Sequence, residues 1–327
     1  MNKRRKIITA LAAAPFLSPF AATAQARVRT VGILMGNSRD AQFEAILNGL
    51  KSALAASGWR EGQNIRFEDK WTEGTVEHVR AQAAALVKLK PDIIFAYSVR
   101  ALSALKTETT EIPMVFVATS DPVGLGFAQS LAQPGRNMTG FTLFDYSLIG
   151  KMLQTLRQMA PRVSQVGLMY APANVSYAGY MRAFEEAAKR LGVEAFGLPV
   201  SDAAEITAAI ARIARAKNPG LLVPPDVTTQ THREHLVKAV ASQRIPAIYS
   251  NGGFAALGGL ISYGVDLADL FKRAGTYIDR VLRGENPGQL PIQQPTKVIV
   301  TINLATAKTM GLQVPQELLV SANEIFS

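Results

Sequence analysis

Cysteine is absent from the chain. That removes disulfides, thiolate nucleophiles and thiolate metal sites together, and leaves the compartment to be read from other features. Histidine is scarce, with three in 327 residues. His232 and His235 flank Glu234 three residues apart, which is not the i, i+4 spacing of a helical zinc site. A solvated helix face suits them, and His78, better. There is no Gly-x-Ser-x-Gly elbow and no phosphate-binding lysine motif, and Gly124-Leu125-Gly126 meets Gln129 where a dinucleotide fingerprint needs a third glycine. Nothing marks a pair of carboxylates for hydrolysis. No catalytic residue, metal or cofactor is therefore expected. Beyond residue 26 there is no apolar run long enough to cross a bilayer.

What is present begins at the N-terminus. Lys3 to Lys6 form a basic cluster, Ile7 to Ala24 are apolar and rich in alanine, and Ala24-Gln25-Ala26 fits a small-x-small cleavage pattern. This reads as a signal peptide over 1–26, cleaved after Ala26, and so as an exported, periplasmic protein. Arg4-Arg5 leaves the choice between the general and twin-arginine routes open. The formal charge of +10 is partly this leader; without it 31 basic residues face 25 acidic ones. They are scattered along the chain, so a solvated surface is expected rather than a nucleic-acid site.

The chain is organised around Ile112 to Gly126. Ile112-Pro113-Met114-Val115-Phe116-Val117-Ala118 is a short apolar run, the pattern of a strand buried on both faces of a parallel sheet. Thr119-Ser120-Asp121-Pro122 breaks it at once, since the proline holds Asp121 out of a helix. Hydroxyls and a carboxylate just past the carboxyl end of a buried strand stand where open α/β sheets bind ligands.

Strand-like and helix-like segments alternate from Val28 and then restart. Val166-Gly167-Leu168-Met169-Tyr170 repeats Val31-Gly32-Ile33-Leu34-Met35 at an offset of 135, Pro219 repeats Pro91 at 128, and Ile245-Pro246 repeats Ile112-Pro113 at 133. Near-constant offsets predict two similar lobes in tandem. The tail offers a strand over 260–264, an amphipathic helix over 266–282, a proline-rich link, a last strand over 298–302 and a short helix. It is too little for a third lobe and most simply adds an element to each. The fold class expected is α/β, two doubly wound parallel-sheet lobes joined by hinges. The divisions are 27–143 plus 264–288 for one lobe and 144–263 plus 289–327 for the other.

Two lobes facing each other would pool their polar strand ends in one cleft. These are Asn37, Ser38, Ser98, Thr119, Ser120 and Asp121 in the first lobe, and Asp226, Ser250 and Asn251 in the second, with Thr228 and Thr229 beside Asp226. Hydroxyls and N–H groups at helix starts suit a carboxylate; an acid at Asp226 or Asp121 suits an ammonium or sugar hydroxyls. Each also has a plainer reading. Ser98, Asn37 and Ser38 can be helix caps, and Asp121 and Asp226 can be turn formers.

Several stretches carry a resemblance. Ala118 to Gly124, Leu131-Ala132-Gln133-Pro134-Gly135-Arg136-Asn137-Met138-Thr139-Gly140, Gly259 to Asp266, Val281 to Pro287 and Asn303 to Lys308 together resemble the TrpX-like substrate-binding proteins of ABC transporters, with a type I periplasmic-binding fold. The resemblance covers the whole mature chain. It implies a solute receptor that delivers a small ligand to an ABC permease, and lobes that interleave in sequence; a monomer is expected. It also implies an amino-acid-like ligand, aromatic ones included, whose carboxylate meets Ser98 and Thr119 and whose amino group meets Asp226. Asn251-Gly252-Gly253 departs from a position often charged in relatives, and Arg100 would favour a more acidic ligand. An exported sensor subunit or an enzyme using the same cleft is the alternative.

Overall fold

The structure, a computed structural model, describes residues 27–73, 75–143 and 145–327; the expected signal peptide lies outside the described residues. The first sheet holds β1 (Arg29–Met35), β2 (Ile65–Trp71), β3 (Ile93–Tyr97), β4 (Met114–Thr119) and β5 (Met138–Thr142) in the order β2-β1-β3-β4-β5, all parallel. Helices α1 (Ala41–Ala56), α2 (Val76–Lys88) and α3 (Val99–Glu108) join its first four strands. Every residue of β3 is buried, as a strand covered on both faces requires. On α1 the buried residues Phe43, Leu47, Leu50 and Leu54 follow helical spacing, and Asp40 caps its start by accepting from Phe43 N at 2.9 Å.

The second half repeats the plan. After α4 (Ser147–Met159) come β6 (Gln165–Tyr170), α5 (Tyr177–Leu191), β7 (Glu194–Pro199), α6 (Ala203–Ile213), β8 (Pro219–Val223), α7 (Val227–Thr231), α8 (Arg233–Ser242), β9 (Ala247–Tyr249), α9 (Gly252–Ala256) and β10 (Ile261–Val265). Their sheet order is β7-β6-β8-β9-β10, which is the first sheet's order again. The tandem repeat expected from the offsets is therefore a repeat of topology. In both sheets the first and third strands are adjacent, and the connections leave them in opposite directions.

The tail then weaves between the halves. Helix α10 (Leu267–Leu282) packs against α1, β3, β4 and β5. The chain after it stays with the first sheet as far as Gln293, whose N–H reaches Gly140 O and whose carbonyl accepts from Thr142 N. It then returns as β11 (Val298–Asn303), followed by α11 (Leu304–Thr309), α12 (Gln316–Ser321) and β12 (Glu324–Phe326), all on the second half. The second sheet is mixed, because β11 runs antiparallel to β10. It arrives along an extended link rather than through a crossover helix. Val298–Ile302 is not the last strand; β12 follows it, three exposed residues too short to show a pattern. Helix α4, which no expectation covered, buries Ile149, Met152, Leu153, Leu156 and Met159 at regular helical spacing.

Candidate functional site

The carboxyl ends of the two sheets face one another across a cleft. It is lined from the first lobe by Asn37, Tyr97, Ser98, Arg100, Ala118 and Ser120, and from the second by Asn174, Ser176, Tyr180, Asp226, Gln230, Ser250, Asn251 and Phe254. Leu143, Val265 and Leu267, at two of the crossings between halves, close its back. The cavity between the walls measures about 60 Å³.

Each lobe contributes residues at its strand-order switch. In the first, Gly36 follows β1 and Ser98 follows β3. The two segments touch so closely that a Cβ on Gly36 would sit 2.0 Å from Ser98 Oγ. Ser98 caps α3, accepting from Ala101 N at 3.2 Å, and holds φ 91° to do so. Its hydroxyl proton stays available for a ligand. Arg100, in the first turn of α3, is half-buried in the cleft wall. Burial works against its charge, and the Asp226 carboxylate across the cleft supports it.

In the second lobe Asn174 follows β6 and Asp226 follows β8. Asp226 is 8% exposed. Its Oδ1 accepts from Thr228 N at 2.7 Å and Thr229 N at 3.3 Å, and its Oδ2 accepts from Asn174 Nδ2 at 2.9 Å and Ala171 N at 3.2 Å. Four donors occupy the four lone-pair directions of a carboxylate. Asp226 thus both caps α7 and presents a fixed negative charge to the cleft. Thr228 and Thr229 spend their N–H groups on it, and it is Gln230 that reaches the cleft.

Unmet hydrogen-bonding capacity lies on both walls. Asn37 donates to Ser38 O, and its Oδ1 has no partner; Gln230 Oε1 accepts from Asn251 Nδ2, and its Nε2 has none. Each such buried atom costs about 1–3 kcal/mol unless a ligand or water meets it. Aromatic rings form part of the lining. Tyr97, Tyr180 and Phe254 are buried, and burial pushes the Tyr97 and Tyr180 phenols well above the ordinary range, so both stay neutral.

Of the residues singled out by sequence, the cleft gathers Asn37, Ser98, Ser120, Asp226, Ser250 and Asn251. Ser38, Thr119 and Asp121 fall outside its lining. Ser38 presents only a carbonyl to Asn37. Thr119 is wholly buried because the register of β4 shifts between Val117 and Thr119, with Ala118 at φ 76°. One extra residue there exchanges the faces, so Ala118 and Ser120 look into the cleft and Thr119 into the sheet. Asp121 accepts from Gly124 N in a local turn and lines an outer groove with Arg182 and Arg190. Asn174, Ser176, Tyr180, Gln230 and Phe254 were not anticipated. The repeat offset of 135 would have drawn attention to the segment after Tyr170 as the partner of the one after Met35. Nothing in the pattern signals Tyr180, Gln230 or Phe254, which sit inside helices.

Among the described residues no cluster of His, Asp and Glu could hold a metal ion, and no helix is long and apolar enough to cross a membrane. The family described as ABC transporter substrate binding protein matches residues 30–326. A tyrosine-binding protein of Clostridioides difficile (strain R20291) is 28% identical over 265 residues, 81% of this chain and 76% of that one. Among solved structures, a conserved domain protein from Vibrio cholerae superposes with TM-score 0.86 at 24% identity, covering 91% of this chain and 100% of that one. An ABC domain in complex with L-Trp from Streptococcus pneumoniae does so with TM-score 0.85 at 22% identity and the same coverage.

Proposed function

From its membership of the ABC transporter substrate binding protein family, to which the match over residues 30–326 shows that this chain belongs, we propose that the protein captures a single amino acid, aromatic ones included, between its lobes and delivers it to an ABC permease for import. The observation that carries the ligand class is the pairing of Arg100 and Asp226 on opposite walls of one small, largely apolar cavity. A zwitterion places a carboxylate and an ammonium within one small molecule. Its carboxylate is proposed to lie at the start of α3, taking the Ser98 hydroxyl proton, backbone N–H groups and the Arg100 charge. Its ammonium is proposed to donate to Asn37 Oδ1 in the field of Asp226. The aromatic lining would take the side chain. The tyrosine-binding and L-Trp-complexed relatives support the same ligand class.

Asp226 enters this proposal as a charge and not as a direct acceptor, because its own lobe already occupies its lone pairs. Lobe closure is the proposed working motion, with crossings between 142 and 147, 265 and 267, and 293 and 298 acting as hinges. Export to the periplasm, a monomeric state and the absence of catalysis belong to the same proposal. A thermal-shift screen of the common amino acids, sugars and carboxylates tests it. A true ligand at 100 times its dissociation constant adds about 2.7 kcal/mol of stability. Stabilisation by amino acids and not by sugars is expected; stabilisation by sugars alone would overturn the ligand class.

A further inference from the structure

Asn37 and Asp40 stand three residues apart on the turn between β1 and α1, and Gln230 and Arg233 stand three apart where α7 runs into α8. In each pair the first side chain lines the cleft and the second reaches the other lobe. Arg233 Nη1 donates to Asp40 Oδ2 at 3.0 Å and to Gln230 O at 3.2 Å. The other Asp40 oxygen caps α1. The ion pair is mostly screened from water, its side chains being 17% and 24% exposed. Beside it the start of α1 meets the start of α9, where a Cβ on Gly253 would lie 2.8 Å from the Gln42 amide.

Both cleft amides retain an unpartnered atom, Oδ1 on Asn37 and Nε2 on Gln230. Each is joined to its half of the ion pair by one short turn of backbone. We infer that Asp40 and Arg233 form a latch coupled to the ligand. A guest that donates to Asn37 and accepts from Gln230 holds both turns in the register that brings the two charges together. The inference rests on the solute-capture reading above. It assigns Gln230 to ligand contact and Arg233 to positioning, since Arg233 acts on the ligand only through closure.

The test uses Asp40→Asn, which keeps the helix cap while removing the charge, Arg233→Gln, and the two combined. Because the chain has no cysteine, Glu77→Cys and Lys238→Cys, exposed positions on opposite lobes, supply unique dye sites. Single-molecule energy transfer then reads the ratio of closed to open molecules, and stopped flow reads the release of L-tyrosine and L-tryptophan. Each single variant is expected to lower the closed ratio and speed release by about three- to tenfold, with association nearly unchanged. The double variant should be no worse than either single one, and high salt should move the wild type in the same direction.

Unchanged closed ratios and release rates in both single variants would overturn the latch, as would a double variant whose effect is the product of the two. Where the ligand-free closed population is below detection, the release rates decide. The ligand reading fails separately. If the wild type binds no amino acid yet the variants open as described, the latch stands and the ligand class falls.

Discussion

Ser120 Oγ and Tyr180 OH lie 2.6 Å apart, one on the loop after β4 and the other on α5, so a hydrogen bond joins the two lobes at the cleft. Tyr146 stands edge-on to the Tyr180 ring with centroids 5.3 Å apart, which fixes the ring that presents the hydroxyl. Tyr180→Phe keeps the ring and removes the hydroxyl that bonds Ser120. The expected result is weaker ligand binding by about 0.5–1.5 kcal/mol, up to roughly tenfold in Kd, with the melting temperature of the ligand-free protein nearly unchanged. Calorimetric titration beside differential scanning calorimetry checks both parts.

Asp226 is expected to behave differently, because it is a structural acceptor as well as a cleft charge. Asp226→Ala removes the cap of α7 and leaves the buried Asn174 amide short of an acceptor. A loss of about 2–4 kcal/mol of stability follows from those two terms. Asp226→Asn keeps one acceptor oxygen but turns an amide NH2 towards existing donors, so it should also destabilise, by less. Both should weaken a zwitterion far more than an uncharged analogue. Denaturant unfolding and ligand titration on the same samples separate the two effects.

Gly264 in β10 sets the position of a cleft residue from behind. A Cβ there would come within 1.8 Å of Ser250 O, far inside any allowed contact, so Gly264→Ala must displace the end of β9. The expected outcome is a loss of several kcal/mol in stability together with reduced ligand affinity, since Ser250 and Asn251 both line the cavity. Gly49→Ala, inside α1 where a Cβ meets nothing within 4 Å, is the contrasting control and should leave affinity unchanged while raising stability by about 0.5–1 kcal/mol.

Much of this architecture is legible in sequence because its causes are local. Buried parallel strands read as unbroken apolar runs, as β3 does, and the restart at Val166 announces the second lobe. The shared strand order follows from repeating the same units. The cleft is only half legible for a different reason. Polar residues at strand ends can be found by position, which gave Asn37, Ser98, Ser120 and Asp226. Which of them face inward depends on register. The shift at Ala118 that buries Thr119 comes from β4 meeting β5 and leaves no mark on the local pattern. Tyr180 and Gln230 reach the cleft only because two lobes come together, a relationship between residues far apart in the chain.

Asp92 gives a prediction about pH rather than ligand. Burial pushes its carboxyl up, but the Thr30 N–H at 2.8 Å and the Arg29 guanidinium at 2.8 Å outweigh this, and Arg27 adds to them, so the pKa lies below the ordinary 3.8. A depressed folded-state value means the contribution is complete above the unfolded value and fades as pH falls through the folded one. Asp92→Asn should therefore cost about 1 kcal/mol near neutral pH, and the gap should close as the solution is acidified below 3.8. Urea unfolding of both proteins across that range measures it.

The central claim, that the cleft reads both charges of one amino acid, is tested most directly by isothermal titration with L-tyrosine and L-tryptophan beside tyramine, tryptamine and the matching arylpropionic acids. The account predicts one-to-one binding of the amino acids and a loss of at least about a hundredfold for analogues missing either the carboxylate or the ammonium, because each omission removes one of the two charges that the cleft is proposed to read. Truncated analogues that bind as tightly as the amino acids, or no binding by any of the set, would contradict it.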